Sequence, residues 1–125
     1  MKQRKGIDKK LDDAWSKLVK LKAGNKCEYC GKTSYLNSHH IYSRSKKSTR
    51  WHAQNGISLC VGHHTFSSNF SAHKTPLEFM DWLINYKGQD FIDRLRIKAN
   101  SISKLHNFEK ELLLKELEKE IAQLE

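Results

Sequence analysis

The chain has 125 residues, of which 38% are hydrophobic and 30% are charged, so it is long enough for one domain with a small core but not for two. Its 23 Lys and Arg residues outnumber its 14 Asp and Glu residues, and the formal charge of +9 favours an anionic partner, nucleic acid before an anionic membrane surface. The longest aliphatic run, Leu112–Leu114, excludes a membrane span, and the basic residues 1–10 lead into no apolar stretch of the kind that a signal peptide requires.

Residues 8–23 predict an N-terminal helix, with Asp8 as its N-cap and Gly24 as its stop. The apolar residues of this stretch recur at helical spacing and therefore predict one buried face. They are Leu11, Ala14, Trp15, Leu18, Val19 and Leu21.

The central segment, residues 27–74, differs chemically from both flanks. It holds all three cysteines and six of the seven histidines, and no carboxylate occurs between Glu28 and Glu78. Residues 1–74 carry a net charge of +11, whereas residues 75–125 carry −2. The residue types predict a strand, a loop, a second strand and a short helix. The corresponding stretches are Ser34–Ser43, the basic loop Ser45–Arg50, the turn Asn55-Gly56 with Ile57–Cys60, and the polar residues that follow Cys60.

Residues 75–125 predict three further helices. The first opens at Thr75 with proline next and Glu78 at capping-box spacing, uses Phe79, Trp82 and Leu83 as its apolar face, and ends at Gly88. The second spans 89–105, with a break near Asn100-Ser101, and its apolar residues are Phe91, Ile92, Leu95, Ile97 and Ile102. The third begins near Phe108 and carries an apolar seam. We expect this seam to pack on the domain, with a homodimer as the alternative; its residues are Leu114, Leu117, Ile121 and Leu124.

Two short spacings predict a structural zinc site. Cys27 and Cys30 form a C-x2-C knuckle, and Cys60 with His63 repeats that spacing. Two such turns supply the tetrahedral Cys3His set that a closed zinc site requires, although the same cysteines could instead be buried without a metal. An odd number of cysteines argues against a disulfide framework and favours the cytosol. A zinc ion would also stabilise a chain of such low apolar content.

Other histidines in the segment exceed what one zinc site needs. Adjacent strand residues point to opposite faces, so His39 and His40 are expected to have different roles, and His64 must point away from its neighbour His63. His52 and His106 are expected to be surface or hydrogen-bonded residues. The remaining histidines lie beside a basic group that consists of Arg44, Lys46, Lys47 and Arg50.

In this order, the residues of 27–74 resemble the HNH endonuclease family, and most closely the small stand-alone HNH proteins of phages and prophages. The resemblance implies a ββα-metal core with flanking helices, a DNA substrate, and a setting in the phage or bacterial host cytosol. The four blocks that carry it are Cys27-x2-Cys30, Ser38-His39-His40-Ile41, Asn55-Gly56-Ile57-Ser58-Leu59-Cys60 and x2-His63-His64. The fold class that follows is α+β: one domain over 1–125, with a helix at 8–23, a zinc-stapled core at 27–74 and helices at 75–125.

The resemblance also implies roles for single residues. His40 matches the general base, while His39 and His64 match ligands of a catalytic metal. Asn55 matches the residue that either holds the loop of the base or ligates the metal. The family usually has cysteine where this chain has His63, so His63 and His64 could exchange roles.

A further ligand is harder to assign, because the family's next histidine position is Ser68 here. His73 is the candidate, and its alternative is a surface histidine beside a helix. An all-imidazole site favours Mn2+, Ni2+, Co2+ or Zn2+ over Mg2+, although Asn55 and water would still permit Mg2+.

The expected activity is metal-dependent hydrolysis of DNA that leaves a 5′-phosphate and a 3′-hydroxyl. The basic group would bind backbone phosphates, and Tyr42 and Trp51 would either stack on a base or, as we expect, pack against the sheet. The main alternative is a zinc-stabilised nucleic-acid-binding module without catalysis. A regulator that dimerises through residues 108–125 is a third interpretation.

Overall fold

The computed structural model describes residues 6–101 and 104–125, and within these ranges the chain forms a small α+β fold. None of the described helices is long and apolar enough to cross a membrane. The regular elements are α1 (Gly6–Lys22), β1 (Leu36–His40), β2 (Gly56–Cys60), α2 (Pro76–Lys87), α3 (Gln89–Ala99) and α4 (Asn107–Leu124).

The two strands form an antiparallel ribbon at the centre of the fold. Leu36 pairs with Cys60 at one end, and His40 pairs with Gly56 at the other. After β2 the chain makes a single π-helical turn, Gly62–Phe66, which the Ser67 N–H closes by donating to the Gly62 carbonyl at 2.8 Å. The short helix predicted after Cys60 is therefore one wide turn. The fold class is α+β, as predicted, and the next regular helix begins only at Pro76.

Two apolar clusters surround this ribbon. The first lies beneath the sheet, where β2 packs on α2 and α3, and includes the zinc-knuckle residue Cys27. The second joins α1 with α4 and includes Trp51. Trp51 is buried in that helical cluster, so the prediction that it packs against the sheet is wrong. The fully or nearly buried residues of the second cluster are Leu11, Trp15, Leu18, Val19, Trp51, Leu117 and Ile121.

Helix α1 approaches the start of β2 so closely that only glycine fits there. A Cβ atom placed on Gly56 would lie 2.4 Å from Val19 Cγ2 and 2.8 Å from Trp15 Cζ2. Real Cβ contacts are not this short, and Val19 and Trp15 are themselves buried in the helical cluster. Gly56 therefore permits the contact between α1 and the sheet, besides its predicted role in a turn.

The helix boundaries follow the predictions, with corrections at the ends. Asp8 lies inside the first turn of α1 and does not cap it; its carboxylate accepts a hydrogen bond from Lys110 Nζ of α4 at 2.8 Å. Thr75 precedes α2, but its hydroxyl bonds to the backbone of Ser71 instead of forming the predicted capping box with Glu78. The pairing with Ser71 orders the segment that leads into α2.

The last two helices show which apolar residues of 89–125 form the core. Ile92 and Leu95 are buried on α3, whereas Ile97, another apolar residue of the predicted helix, is 73% exposed. Ile102 lies outside the described residues. On α4 the seam packs on α1, as expected: Leu117 and Ile121 are buried.

Candidate functional site

The first half of the candidate zinc site is the tight turn at Cys27–Cys30. The Cys30 N–H donates to Cys27 Sγ at 3.5 Å, and Gly31, with a φ of 81°, allows its own N–H to reach the Cys27 carbonyl at 2.8 Å. Glu28, inside the turn, accepts hydrogen bonds from the Ser58 N–H at 2.8 Å and from the Tyr86 hydroxyl at 2.7 Å. These bonds fix the knuckle against β2 and α2.

The second half comes from the end of β2 and the π-helical turn, and it brings four ligand atoms together. The sulfur atoms of Cys27, Cys30 and Cys60 and a ring nitrogen of His63 all lie within 4.8 Å of one another. A zinc ion with tetrahedral thiolates at about 2.3 Å holds its sulfur atoms about 3.8 Å apart. The Cys30–Cys60 distance is 3.8 Å, and His63 Nδ1 lies 3.3 Å from Cys60 Sγ and 3.9 Å from Cys27 Sγ. These residues therefore fit a structural zinc ion.

The thiols of Cys27 and Cys30 differ in acidity. Burial raises the pKa of the Cys27 thiol, but backbone N–H donors from Cys30 and Cys60 and the ring of His63 outweigh burial and lower the pKa to about 6. The pKa of Cys30 is raised, by burial and by its neighbours Cys27 and Cys60. Sulfur atoms this close cannot all ionise unless a cation compensates their charge.

A second cluster, distinct from the first, consists of His39, His64 and His73. One ring nitrogen of each lies within 4.8 Å of the others, and the Nε2 atoms of His64 and His73 are 3.0 Å apart. Backbone pairing places His73 here, because its N–H donates to the His64 carbonyl at 3.1 Å. The structure thus groups His64 with His39 and His73, and groups His63 with the cysteines, so the exchange of roles between His63 and His64 is not observed.

Two of these imidazoles, those of His39 and His64, have a lowered pKa. Burial, together with the proximity of His64 and His73, lowers the pKa of His39 to about 3. Burial and the proximity of His73 also lower the pKa of His64. A neutral imidazole nitrogen offers a lone pair, which is the form in which histidine ligates divalent cations.

His40 lies on the other side of β1, as the strand alternation predicted. Its ring stacks on Trp15 of α1, with centroids 3.8 Å apart and planes at 9°, and its Nε2 lies 2.9 Å from the Arg50 carbonyl oxygen. A carbonyl only accepts hydrogen bonds, so Nε2 carries the proton and Nδ1 holds the lone pair. Burial is the main cause that lowers the pKa of His40, which keeps the ring neutral at pH 7.

Asn55 is fully buried and bonded only to backbone. Its Oδ1 accepts from the Tyr42 N–H at 2.7 Å, and its Nδ2 donates to the carbonyls of Tyr42 and Thr49, each at 3.0 Å. The side chain therefore closes the 42–55 loop, which carries the carbonyl that His40 binds. Of the two roles left open by the sequence, the contacts fit loop support and not metal ligation.

The predicted phosphate-binding residues do not form one group. Arg44 is half exposed and lines the same groove as His39, His40, His64 and His73, which has a volume of about 480 Å³. Lys46 and Lys47 are exposed on the neighbouring loop. Both arginines reach the carboxylate of Asp12, Arg44 through Nη2 at 3.5 Å and Arg50 through Nε and Nη2 at 3.2 and 2.9 Å. They differ in exposure, because Arg50 is largely buried whereas about half of the Arg44 side chain remains exposed.

Sequence reasoning missed the contribution of α1 to this site. Asp12, Trp15 and Ser16 occupy one face of the helix, and all three reach β1 or the 42–55 loop. Asp12 interrupts an otherwise apolar buried face, and an acidic residue at such a position was the available signal. The other histidines are structural, as expected: His52 accepts from the Gln54 N–H, and His106 precedes α4.

No protein-family model, curated protein or solved structure matches the chain. The function therefore has to be inferred from the chemistry of the two ligand clusters and of the His40 ring. One cluster offers four ligands in a closed arrangement, and the other offers three beside a groove.

Proposed function

We propose that the protein is a metal-dependent endonuclease of the HNH type, which hydrolyses DNA phosphodiester bonds. The observation that carries the proposal is the placement of His40, with Nδ1 as its unprotonated nitrogen, in the same groove as the cluster of His39, His64 and His73. The finer assignment of residues 27–74 as a ββα-metal core belongs to this proposal.

In the proposed reaction His40 is the general base. Its Nδ1 takes a proton from water while the water oxygen bonds to phosphorus and the bond to the 3′ oxygen breaks. His39, His64 and His73 would hold a divalent cation, which would supply charge screening for the phosphate and the leaving oxygen. The products are a 5′-phosphate and, after protonation by solvent, a 3′-hydroxyl.

The cluster's composition supports a particular set of metals. Its three ligands are imidazoles, and the stretch from 29 to 77 contains no carboxylate. Imidazole ligands suit Mn2+, Ni2+, Co2+ and Zn2+, whereas Mg2+ prefers oxygen ligands. We therefore expect Mg2+ to support the weakest cleavage.

Charge and exposure support DNA as the substrate. Arg44 lines the groove, and Lys46 and Lys47 lie exposed on the loop that follows it. Contacts from these side chains to backbone phosphates give affinity and salt dependence with little sequence readout. Arg50 is removed from the proposed phosphate contacts, because its guanidinium is bound to Asp12.

The test is nicking of supercoiled plasmid by the full chain with each of these metals. The wild type should nick, and His40→Ala should be slower by about 10²- to 10⁴-fold, since it removes the base. His106→Asn is the matched control, because it removes a distant histidine and leaves a residue that suits a helix N-terminus. A wild type that binds DNA but stays inert with every metal would establish the non-catalytic binding module instead.

A further inference from the structure

The contacts of His40 lead to a residue outside the segment that carries the HNH-like motifs. The carbonyl that accepts the His40 Nε2–H belongs to the peptide that joins Arg50 to Trp51. Asp12 of α1 binds the side chains on both sides of that peptide. Its carboxylate accepts from Arg50 Nε and Nη2 at 3.2 and 2.9 Å, and from the Trp51 indole N–H at 2.7 Å. Arg44 Nη2 forms a further ion pair with it at 3.5 Å.

We propose that Asp12 is a positioning residue for the base: it fixes the Arg50–Trp51 peptide so that the Arg50 carbonyl holds the proton of His40 on Nε2 and leaves Nδ1 free to accept one. This inference rests on the proposed function, since it assigns a role within the same reaction. It adds α1, a helix outside residues 27–74, to the working parts of the site.

Burial and charge show why this carboxylate is suited to the role. The Asp12 side chain is only 9% exposed, and Arg50 is 14% exposed, so water does not weaken the bidentate pair. The segment from 29 to 77 has no carboxylate of its own. The acid that orders this basic loop is therefore supplied by α1, 38 residues before Arg50.

A second contact from α1 reinforces the first. Trp15, one turn after Asp12, stacks on the face of the His40 ring, and its own indole N–H donates to the His52 carbonyl at 2.9 Å. The stack limits rotation of the imidazole, and the Arg50 carbonyl sets which of its nitrogens carries the proton. A misplacement of about 1 Å at a reacting group costs about 100-fold in rate.

The test compares Asp12→Asn with Asp13→Asn in the full, zinc-loaded chain, below the unfolding temperature of each variant. Asp13 is the matched control, because it is the next residue, is exposed and pairs only with Lys9 among the described ion pairs. Plasmid nicking gives kcat and KM, and nitrogen NMR of the imidazole rings shows which nitrogen of His40 carries the proton. We expect Asp12→Asn to lower kcat about 10- to 100-fold. We also expect it to shift part of the His40 proton from Nε2 to Nδ1, and Asp13→Asn to change neither. Loss of the ion pair with Arg44 can change KM as a separate effect, so kcat and the tautomer are the deciding readouts.

Two results would overturn the proposal by showing that Asp12 gives structural support only. One is a folded Asp12→Asn variant with normal kcat and an unchanged His40 tautomer. The other is a loss confined to KM. If Asp12→Asn does not fold, Trp51→Phe decides by the same measurements, because it removes one hydrogen bond to Asp12 and keeps an aromatic ring. The NMR measurement needs no substrate. A wild type without nuclease activity therefore refutes the proposed function, while the tautomer still decides whether Asp12 orients His40.

Discussion

The two clusters of ligating atoms differ in donor number, donor type and access to solvent. The Cys3His cluster has four donors, three of them sulfur, with Cys27 and Cys60 buried. The histidine cluster has three nitrogen donors and lines an open groove, with His73 exposed. Four protein ligands close a tetrahedral site, whereas three leave a position for water or substrate. The closed Cys3His cluster is therefore suited to a structural role, and the open histidine cluster is suited to a chemical one. The same turn, Gly62–Phe66, contributes His63 to the first cluster and His64 to the second.

The largest effect should come from breaking the closed cluster. Cys27→Ser removes a buried ligand, and the loss of a structural zinc ion removes folding free energy comparable with the stability of a small domain. We expect most of the folded protein to be lost by circular dichroism, together with the one tightly held zinc per chain in a metal count. Full folding and full zinc content in this variant would contradict the assignment of the cluster.

The second-largest effect should come from a substitution outside both clusters. Asn55→Ala removes the buried side-chain partner of the carbonyls of Tyr42 and Thr49 and of the N–H of Tyr42. We expect a loss of about 2–4 kcal/mol in the free energy of unfolding by urea, with zinc content unchanged. The control is Asn85→Ala, an exposed asparagine on α2, which should change stability by less than about 0.5 kcal/mol. Loss of zinc from Asn55→Ala would show that the loop and the knuckle are one unit.

Adjacent histidines allow the sharpest comparison of the two clusters. His63→Gln should destabilise the fold and weaken the zinc site. His64→Gln should leave the fold and the first zinc intact and reduce affinity for a second ion by about 10- to 100-fold. Calorimetric titration of the zinc-loaded chain with Ni2+ or Mn2+ measures this second affinity. Equal effects of the two substitutions would mean that the clusters do not act separately.

The smallest expected effect is the contribution of His39, a member of the open cluster, to the pH dependence of stability. Burial and its neighbours lower the pKa of His39 to about 3 in the folded chain, against 6.5 as the ordinary value. The unfolded chain then binds a proton that the folded chain resists, so stability is full above pH 6.5 and falls as the pH drops from 6.5 toward 3. Between pH 7 and 5.5 this loss is roughly 1 kcal/mol.

His39→Gln should reduce, but not abolish, the difference in unfolding temperature over that range, because the pKa values of His40, His52 and His64 are lowered as well. Without added divalent metal, the comparison isolates the imidazole from cation binding. A variant with the same pH dependence as the wild type would show that His39 titrates normally in the folded chain.

Local patterns predicted much of this architecture, because the relevant signals lie within a few residues of one another. The knuckle spacing at Cys27 and Cys60 anticipated four ligand atoms in contact, and alternation along β1 anticipated separate surroundings for His39 and His40. Helix periodicity located α1 and α4 and their buried faces. These features depend on short-range geometry that residue types largely determine.

Features that depend on distant contacts were not predictable in the same way. Arg50 was expected at the surface with its basic neighbours, but its partner Asp12 lies 38 residues away, and no local pattern joins them. Trp51 is likewise buried among residues of α1 and α4, which are distant from it in sequence. The separate roles of His63 and His64 required the backbone of the π-helical turn, which sequence spacing alone leaves open.

The shared turn also has a consequence for how metal binding at the two clusters is linked. His63 and His64 are consecutive residues that serve different clusters, so the turn that presents one also presents the other. An ion bound by the cysteines and His63 would hold the backbone of this turn, and with it the position of His64 beside His39 and His73. On the proposed function, we therefore expect loss of the sulfur-bound ion to weaken binding at the histidine cluster as well.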